Sequence, residues 1–355
     1  MTRSHRPHSI TELLNIELPL IQAPMAGVQG SALAIAVCSA GALGSLPCAM
    51  LDAGAVRAEV ARIRAQGSWP FNLNFFCHAP PQADAARLAA WEAGFAACRA
   101  ELGVAPGAAA AGPARMPFDA AMAALVEELR PPVVSFHFGL PPPELLRRVR
   151  AAGARILSSA TTVDEARWLE ARGVDAVIAQ GVEAGGHRGM FLTEDLDAQL
   201  GTFALLPQIV RAVEVPVIAA GGIADADCVR AAFALGAAGV QVGTSYLLCP
   251  EASTSALHRE ALGSERARHT ALTNVHSGRP ARGIVNRLVR EFGPISALAP
   301  AFPLASAALA PLRAQAEKLG IDDFSPLWAS QNASGCKPVG AAQLTLELAR
   351  GLPQG

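Results

Sequence analysis

Short apolar segments recur along the chain, each ending in glycine, proline or small polar residues: PLIQAPM (19–25), GALGSL (41–46), PFNLNFF (70–76), PVVSFHF (132–138), ARILSSA (154–160), VDAVIAQG (174–181), VPVIAAGG (215–222) and AGVQVGTS (238–245). Several are apolar without alternation, as strands buried on both faces of a parallel sheet must be. Between them lie alanine-rich stretches at helical spacing, such as VDEARWLEARG (163–173) and ADCVRAAFALG (226–236). Strand and helix repeated in this way predict an α/β fold of the TIM (β/α)8 barrel type. A doubly wound open sheet is the competing arrangement, weakened because no G-x-G-x-x-G follows the first strand.

At 355 residues the chain suits one large domain, or a large and a small one. Hydrophobic residues make up 51% and charged residues 17%, which supplies a core and argues against long disorder. The net charge of -1 shows no basic excess, so neither nucleic acid nor a membrane is an expected partner. Cys38, Cys48, Cys77, Cys98, Cys228, Cys249 and Cys336 are scattered without a C-x-x-C pair. They read as reduced thiols of a cytoplasmic protein, with no disulfide framework and no metal site. The N-terminus lacks the apolar core of a signal peptide. The run at 297–312 holds Pro300, Pro303 and Pro311 and is too short to span a bilayer, so a broken helical segment is expected there. Residues 103–117 form a small-residue insert, expected as an exposed loop between helices. The barrel is expected over 1–249 and 326–355. Residues 250–325, where the repeat stops, are expected to form a smaller, mostly helical domain covering the barrel mouth.

Active sites of such barrels lie where the strands end. After the first strand come Gln22 and then Ala23, Pro24, Met25, Ala26 and Gly27, which let backbone approach a flat ligand or simply form a turn. Asn72 and Asn74 share one face of the third strand, so both are expected at the mouth. The strongest signal pairs Gly221-Gly222 with Gln241-Val242-Gly243-Thr244, the loops that commonly hold a phosphate after the last two strands. Between them, QGVEAGGHRG (180–189) places His187 in a glycine-rich loop, where it can face a ligand. Histidine titrates near neutrality and can take a proton from carbon or stabilise an anion. No nucleophile elbow, H-E-x-x-H or metal-binding carboxylate run accompanies it, and that poverty fits a redox cofactor.

Together these stretches resemble the nitronate monooxygenases, formerly 2-nitropropane dioxygenases. The matching segments are QAPMAG (22–27), NLNFF (72–76), SFHFGLP (135–141), QGVEAGGHRG (180–189), AAGGI (219–223), QVGT (241–244), SGRPARG (277–283) and PLWASQ (326–331). SFHFGLP and SGRPARG point to class I. The resemblance implies a TIM barrel with FMN and a smaller domain over it. It implies oxidation of alkyl nitronates by O2, propionate 3-nitronate above all, to a carbonyl compound with nitrite or nitrate, without NAD(P)H. It admits a homodimer. Carried over by motif, Ala23, Pro24, Met25, Ala26, Gly27, Asn74, Gln180, Gly185, Gly186, Gly221, Gly222, Gln241, Val242, Gly243, Thr244, Trp328 and Gln331 would bind FMN, and His187 would be the active-site histidine. The chain departs from the pattern at His276, where members commonly have phenylalanine, and at Ser330, where glycine is usual. Its single tyrosine, Tyr246, leaves no other tyrosine for an active-site role.

Two other functions remain open to the residues. An NADH-dependent flavin reductase of the enoyl- or quinone-reductase kind shares the phosphate and histidine loops. A barrel that binds a phosphorylated ligand without redox chemistry shares the phosphate loops. Within the oxygenase reading, SGRPARG is expected at the substrate entrance, where Arg279 or Arg282 attracts an anion or pairs with nearby acids. His187 either removes a proton from a neutral nitroalkane or orients the anionic nitronate, and the nitronate preference favours orientation.

Overall fold

The computed structural model describes residues 9–105 and 115–353. At its centre is an 8-stranded parallel sheet. In chain order the strands are β1 (Leu20–Gln22), β2 (Gly44–Pro47), β3 (Phe71–Phe76), β4 (Val133–His137), β5 (Arg155–Ala160) and β6 (Ala176–Gln180). A two-residue strand β7 (Gly186–His187) lies outside the sheet, and β8 (Val217–Ala220) and β9 (Gly239–Val242) complete it. The spatial order is β2-β3-β4-β5-β6-β8-β9-β1. Leu43 N donates to Leu20 O and Gln22 N to Leu43 O, both at 2.9 Å. Those bonds join β1 to the start of β2 and close the cylinder, as a TIM barrel requires.

The period of two explains why these strands read as unbroken apolar runs. In β4, Val134 and Phe136 face the surrounding helices and belong to the main core, whereas Val133 belongs to a separate cluster inside the barrel. That inner cluster includes Ile21, Leu43, Leu157, Ile178 and Ile218. Helix Ile10–Leu14 seals its lower end with Ile10, Leu13 and Leu14. Moving along β4 by twos, Val133 gives way to Ser135 and then His137. The interior therefore turns polar towards the C-terminal ends, where the sheet can meet a polar ligand. Asn72 lies in the lower polar layer and donates to Ser45 Oγ (3.0 Å) and Ser135 Oγ (2.9 Å). Only Asn74 of the expected asparagine pair reaches the mouth, because one step of two residues along β3 spans a whole layer.

The connecting helices start where the sequence offers an N-cap. Asp52, Asp119, Thr162 and Asp225 each accept a bond from the backbone N–H three residues on; such a cap stabilises a helix by about 1 kcal/mol. The C-terminal helix Ala341–Ala349 returns to the barrel through Leu344 and Leu348.

A second core forms beside the barrel mouth. It combines Val275, Leu288, Ala305, Leu309, Leu312 and Phe324 with Trp91, Phe95, Cys98 and Leu102 from the segment after β3. Helices Ala85–Gly94 and Ala96–Leu102 thus pack on helix Leu304–Lys318. That helix begins after Pro303 and runs through Pro311 without breaking. A proline there forfeits one backbone bond and crowds the preceding turn, and the buried Ala305, Leu309, Leu312 and Ala316 hold the helix together across it. The unit also contains β10 (Thr270–Thr273) and β11 (Ala281–Ile284), which join β7 in an antiparallel sheet of order β10-β11-β7. Of the insert at 103–117, residues 106–114 lie outside the described residues. Among the described residues, no helix is long and apolar enough to cross a membrane.

Candidate active site

A cavity of about 1240 Å3, including its open mouth, occupies the C-terminal end of the barrel. Four loops and the segment around Trp328 build it. From the first loop, Ala23, Pro24, Met25 and Ala26 line it. Gln29 fixes this loop: its Oε1 accepts from Met25 N (3.0 Å) and Gln22 Nε2 (2.7 Å), and its Nε2 donates to Ser45 O (2.5 Å). Gly27, at φ 84°, turns the chain behind the lining.

The loop after β6 carries Gly185, Gly186 and His187 into the cavity wall. Two side chains aim it. Gln180 Nε2 donates to His187 O (3.0 Å) while its Oε1 accepts from Gly189 N (2.7 Å). His137 Nε2 lies 3.2 Å from the same carbonyl. A carbonyl only accepts, so His137 carries its proton on Nε2, and Nδ1 accepts from Ser159 Oγ at 3.1 Å. Gly185 is small for a packing reason: a Cβ there would lie 2.6 Å from the backbone of Ala329. The loop is thereby pressed against the segment holding Trp328, and Gln331 N and Ser330 Oγ bond to Glu183 O at 3.0 and 2.8 Å.

Beside this loop lie Gly221 and Gly222 after β8, followed by Gly243 and Thr244 after β9. Gly221 (φ 114°) and Gly222 (φ 73°) adopt the left-handed conformations that glycine tolerates. A Cβ at Gly222 would meet only the Glu183 side chain, 3.5 Å away. Its backbone, not its packing, therefore calls for glycine. Asn332 Nδ2 holds Gly222 O (3.1 Å), and Thr244 Oγ1 accepts from Ser330 N (3.0 Å). Gln241 lines the cavity with its Oε1 buried and, among the described residues, without a partner. Val242 faces the main core instead. Gln331 is exposed and meets the site only through its backbone.

Burial governs the electrostatics. Desolvation, followed by the positive charges of Arg115 and Arg279 and neighbouring imidazoles, pushes His187 well below its usual 6.5. His187 is therefore neutral at pH 7. Its Nε2 lies 2.9 Å from Ser277 Oγ, and Ser277 donates to Arg279 O (3.3 Å). That network assigns the proton to Nε2 and leaves Nδ1 with a free lone pair.

The model of the nitronate monooxygenase family matches residues 8–351. The chain belongs to the nitronate monooxygenase family. A nitronate monooxygenase of Pseudomonas aeruginosa is 44% identical over 342 residues, 94% of this chain and 96% of that protein. One from Paraburkholderia phytofirmans is 42% identical over 362 residues, 100% of this chain and 97% of that protein. Among solved structures, a nitroalkane oxidase from Streptomyces ansochromogenes superposes with a TM-score of 0.85 at 38% identity, covering 96% of each chain.

In this member of the family the arginines of SGRPARG do not stand free at an entrance. Arg282 is buried and donates to Val182 O (2.8 Å) and Thr270 Oγ1 (3.3 Å). Arg279 lies over the Phe138 ring, 4.1 Å from its centroid, and bonds Met190 O. Neither pairs with an acid among the described residues. Both tie the second unit to the histidine loop, because β11 pairs with β7 and brings SGRPARG against the barrel. His276 is buried against Trp328, with ring centroids 5.3 Å apart, a contact phenylalanine would also make. The cationic residue that lines the cavity is Arg115. Its signal in the sequence was slight: a lone charge in the small-residue run GVAPGAAAAGPARMP.

Proposed function

We propose that the cavity holds FMN and that the chain oxidises alkyl nitronates, propionate 3-nitronate above all, by O2 to a carbonyl compound with nitrite or nitrate. The observation that carries this reading is the convergence of the family's separated motifs on one cavity with a buried acceptor, Gln241 Oε1, that has no partner among the described residues. A heteroaromatic ring N–H would satisfy that oxygen. The Gly221–Gly222 and Gly243–Thr244 loops would hold the phosphate, since backbone can approach an anion there without a side chain between. Bound FMN would supply the electron acceptor for the nitronate.

The protein's own part is to bind, orient and move one proton. For a nitronate already formed, the task is orientation beside the ring. For a neutral nitroalkane, His187 Nδ1 takes the α-proton. The C–H bond breaks, its electron pair forms the C=N bond, and the nitro group takes up the negative charge. The neutral imidazole suits a base better than a resting cation, so the site's burial shifts the weight from charge orientation towards proton removal.

Placement of the phosphate is tested by Gly222→Val, with Gly320→Val as control. The two glycines share nearly the same strained φ (73° and 75°), and Gly320 has nothing near its Cβ direction. Gly222→Val is expected to weaken FMN binding by roughly tenfold or more, about 1.4 kcal/mol. Gly320→Val should bind FMN as wild type does. Equal FMN affinity in the two variants would move the phosphate elsewhere. The reductase alternative is separated by anaerobic mixing: the nitronate, and not NADH, should bleach the bound flavin.

A further inference from the structure

Arg115 is largely buried at the cavity wall, and among the described residues no carboxylate pairs with it. Nor does the described lining contain any aspartate, glutamate or lysine. Of the guanidinium's donors, Nη1 alone has a hydrogen-bond partner among the described residues, Ser306 Oγ at 3.2 Å. Ser306 in turn donates to His276 O (3.0 Å), which fixes the serine and aims the arginine. The guanidinium carbon lies 6.0 Å from the centroid of Phe302, whose ring packs 5.2 Å from that of His187. Arg115 therefore stands on the same side of the cavity as His187.

Arg115 opens onto the cavity with most of its donors lacking a protein partner among the described residues, so an anion placed there would engage them. Its planar fork suits a carboxylate. We infer that Arg115 holds a second anionic group of the substrate, a carboxylate a short carbon chain away from the nitronate, and so sets specificity. Ser306 is the positioning residue. Arg279 is not among the residues lining the cavity; it lies over Phe138 and bonds the Met190 carbonyl. The inference rests on the nitronate-oxidising reading above.

The test compares propionate 3-nitronate with 1-propyl nitronate in wild type, Arg115→Gln and Arg115→Lys, each loaded with FMN. Arg115→Gln should raise KM for the carboxylated nitronate by roughly 10- to 100-fold, with the uncarboxylated one changed less than about twofold. Arg115→Lys should recover part of the loss, as a point charge without the fork. In parallel, calorimetric titration with succinate, a dianion of similar length, should show tighter binding to wild type than to Arg115→Gln, with butanoate nearly unaffected. Equal KM changes on both nitronates, or none on either, would overturn the assignment. If wild type oxidises neither nitronate, the functional reading falls and the titration alone decides. Succinate binding that is absent from wild type, or equally tight in Arg115→Gln, then sinks the role of Arg115.

Discussion

His187→Asn is expected to lower the rate on a neutral nitroalkane by about 100-fold or more, and to leave oxidation of the preformed nitronate within a few-fold of wild type. Asparagine keeps a hydrogen-bonding side chain and loses the base. The expectation follows from burial beside Arg115 and Arg279, which holds the imidazole neutral, and from the Ser277 contact, which places its proton on Nε2. A neutral base also sets the pH profile. Because its pKa is depressed, the wild-type rate on the nitroalkane should stay level as pH falls through 6.5 and decline only under more acidic conditions. Steady-state rates on both substrate forms, with FMN fully bound, decide. Equal falls on both would make His187 an orienting group, and unchanged rates on both would remove it from the chemistry. A wild-type enzyme inert towards nitroalkanes would remove the base role.

Stability should collapse in mild acid. Burial lowers His78, His137 and His258 to about 4 and His276 to about 3, and lowers His187 as well. In the unfolded chain each imidazole titrates near 6.5, so below that pH the unfolded state binds the additional protons. Stability from these groups is complete above pH 6.5 and is lost as pH falls towards 4. Each proton contributes roughly 1.4 kcal/mol per pH unit, so the buried His258 and His276 alone account for about 2–3 kcal/mol between pH 6 and 5. Urea midpoints measured from pH 8 to 5 should fall steeply below 6.5. His276→Phe should keep the contact with Trp328 and flatten that slope by about one proton. A midpoint independent of pH across this range would contradict the buried, neutral state of these imidazoles.

The barrel was legible because its signal is local. Each strand is a short apolar run ending in glycine, proline or small polar residues, and neither face of β3 or β6 meets water. The two glycine loops were legible for the same reason, since left-handed backbone at Gly221 and Gly222 leaves glycine little competition. What stayed hidden depends on partners distant in the chain. β10 and β11 are four residues each and partly exposed or polar, so they carry no apolar pattern, and β11 is held between β10 on one side and β7 on the other. The contribution of Trp91 and Phe95 to the second core could not be read without knowing where helix Leu304–Lys318 lies. Charge alone points Arg279 and Arg282 towards the entrance, whereas pairing of SGRPARG with the histidine loop turns both onto carbonyls. Nothing around Arg115 in the chain hints at a ligand.

The central claim is that one FMN-loaded cavity oxidises nitronates with O2 and needs no nicotinamide. Oxygen uptake by the FMN-loaded protein supplied with propionate 3-nitronate tests it directly. The account predicts rapid uptake without NADH, tracking nitronate consumption and unchanged when NADH is added. No uptake with nitronate, together with NADH-driven bleaching of the flavin, would contradict it.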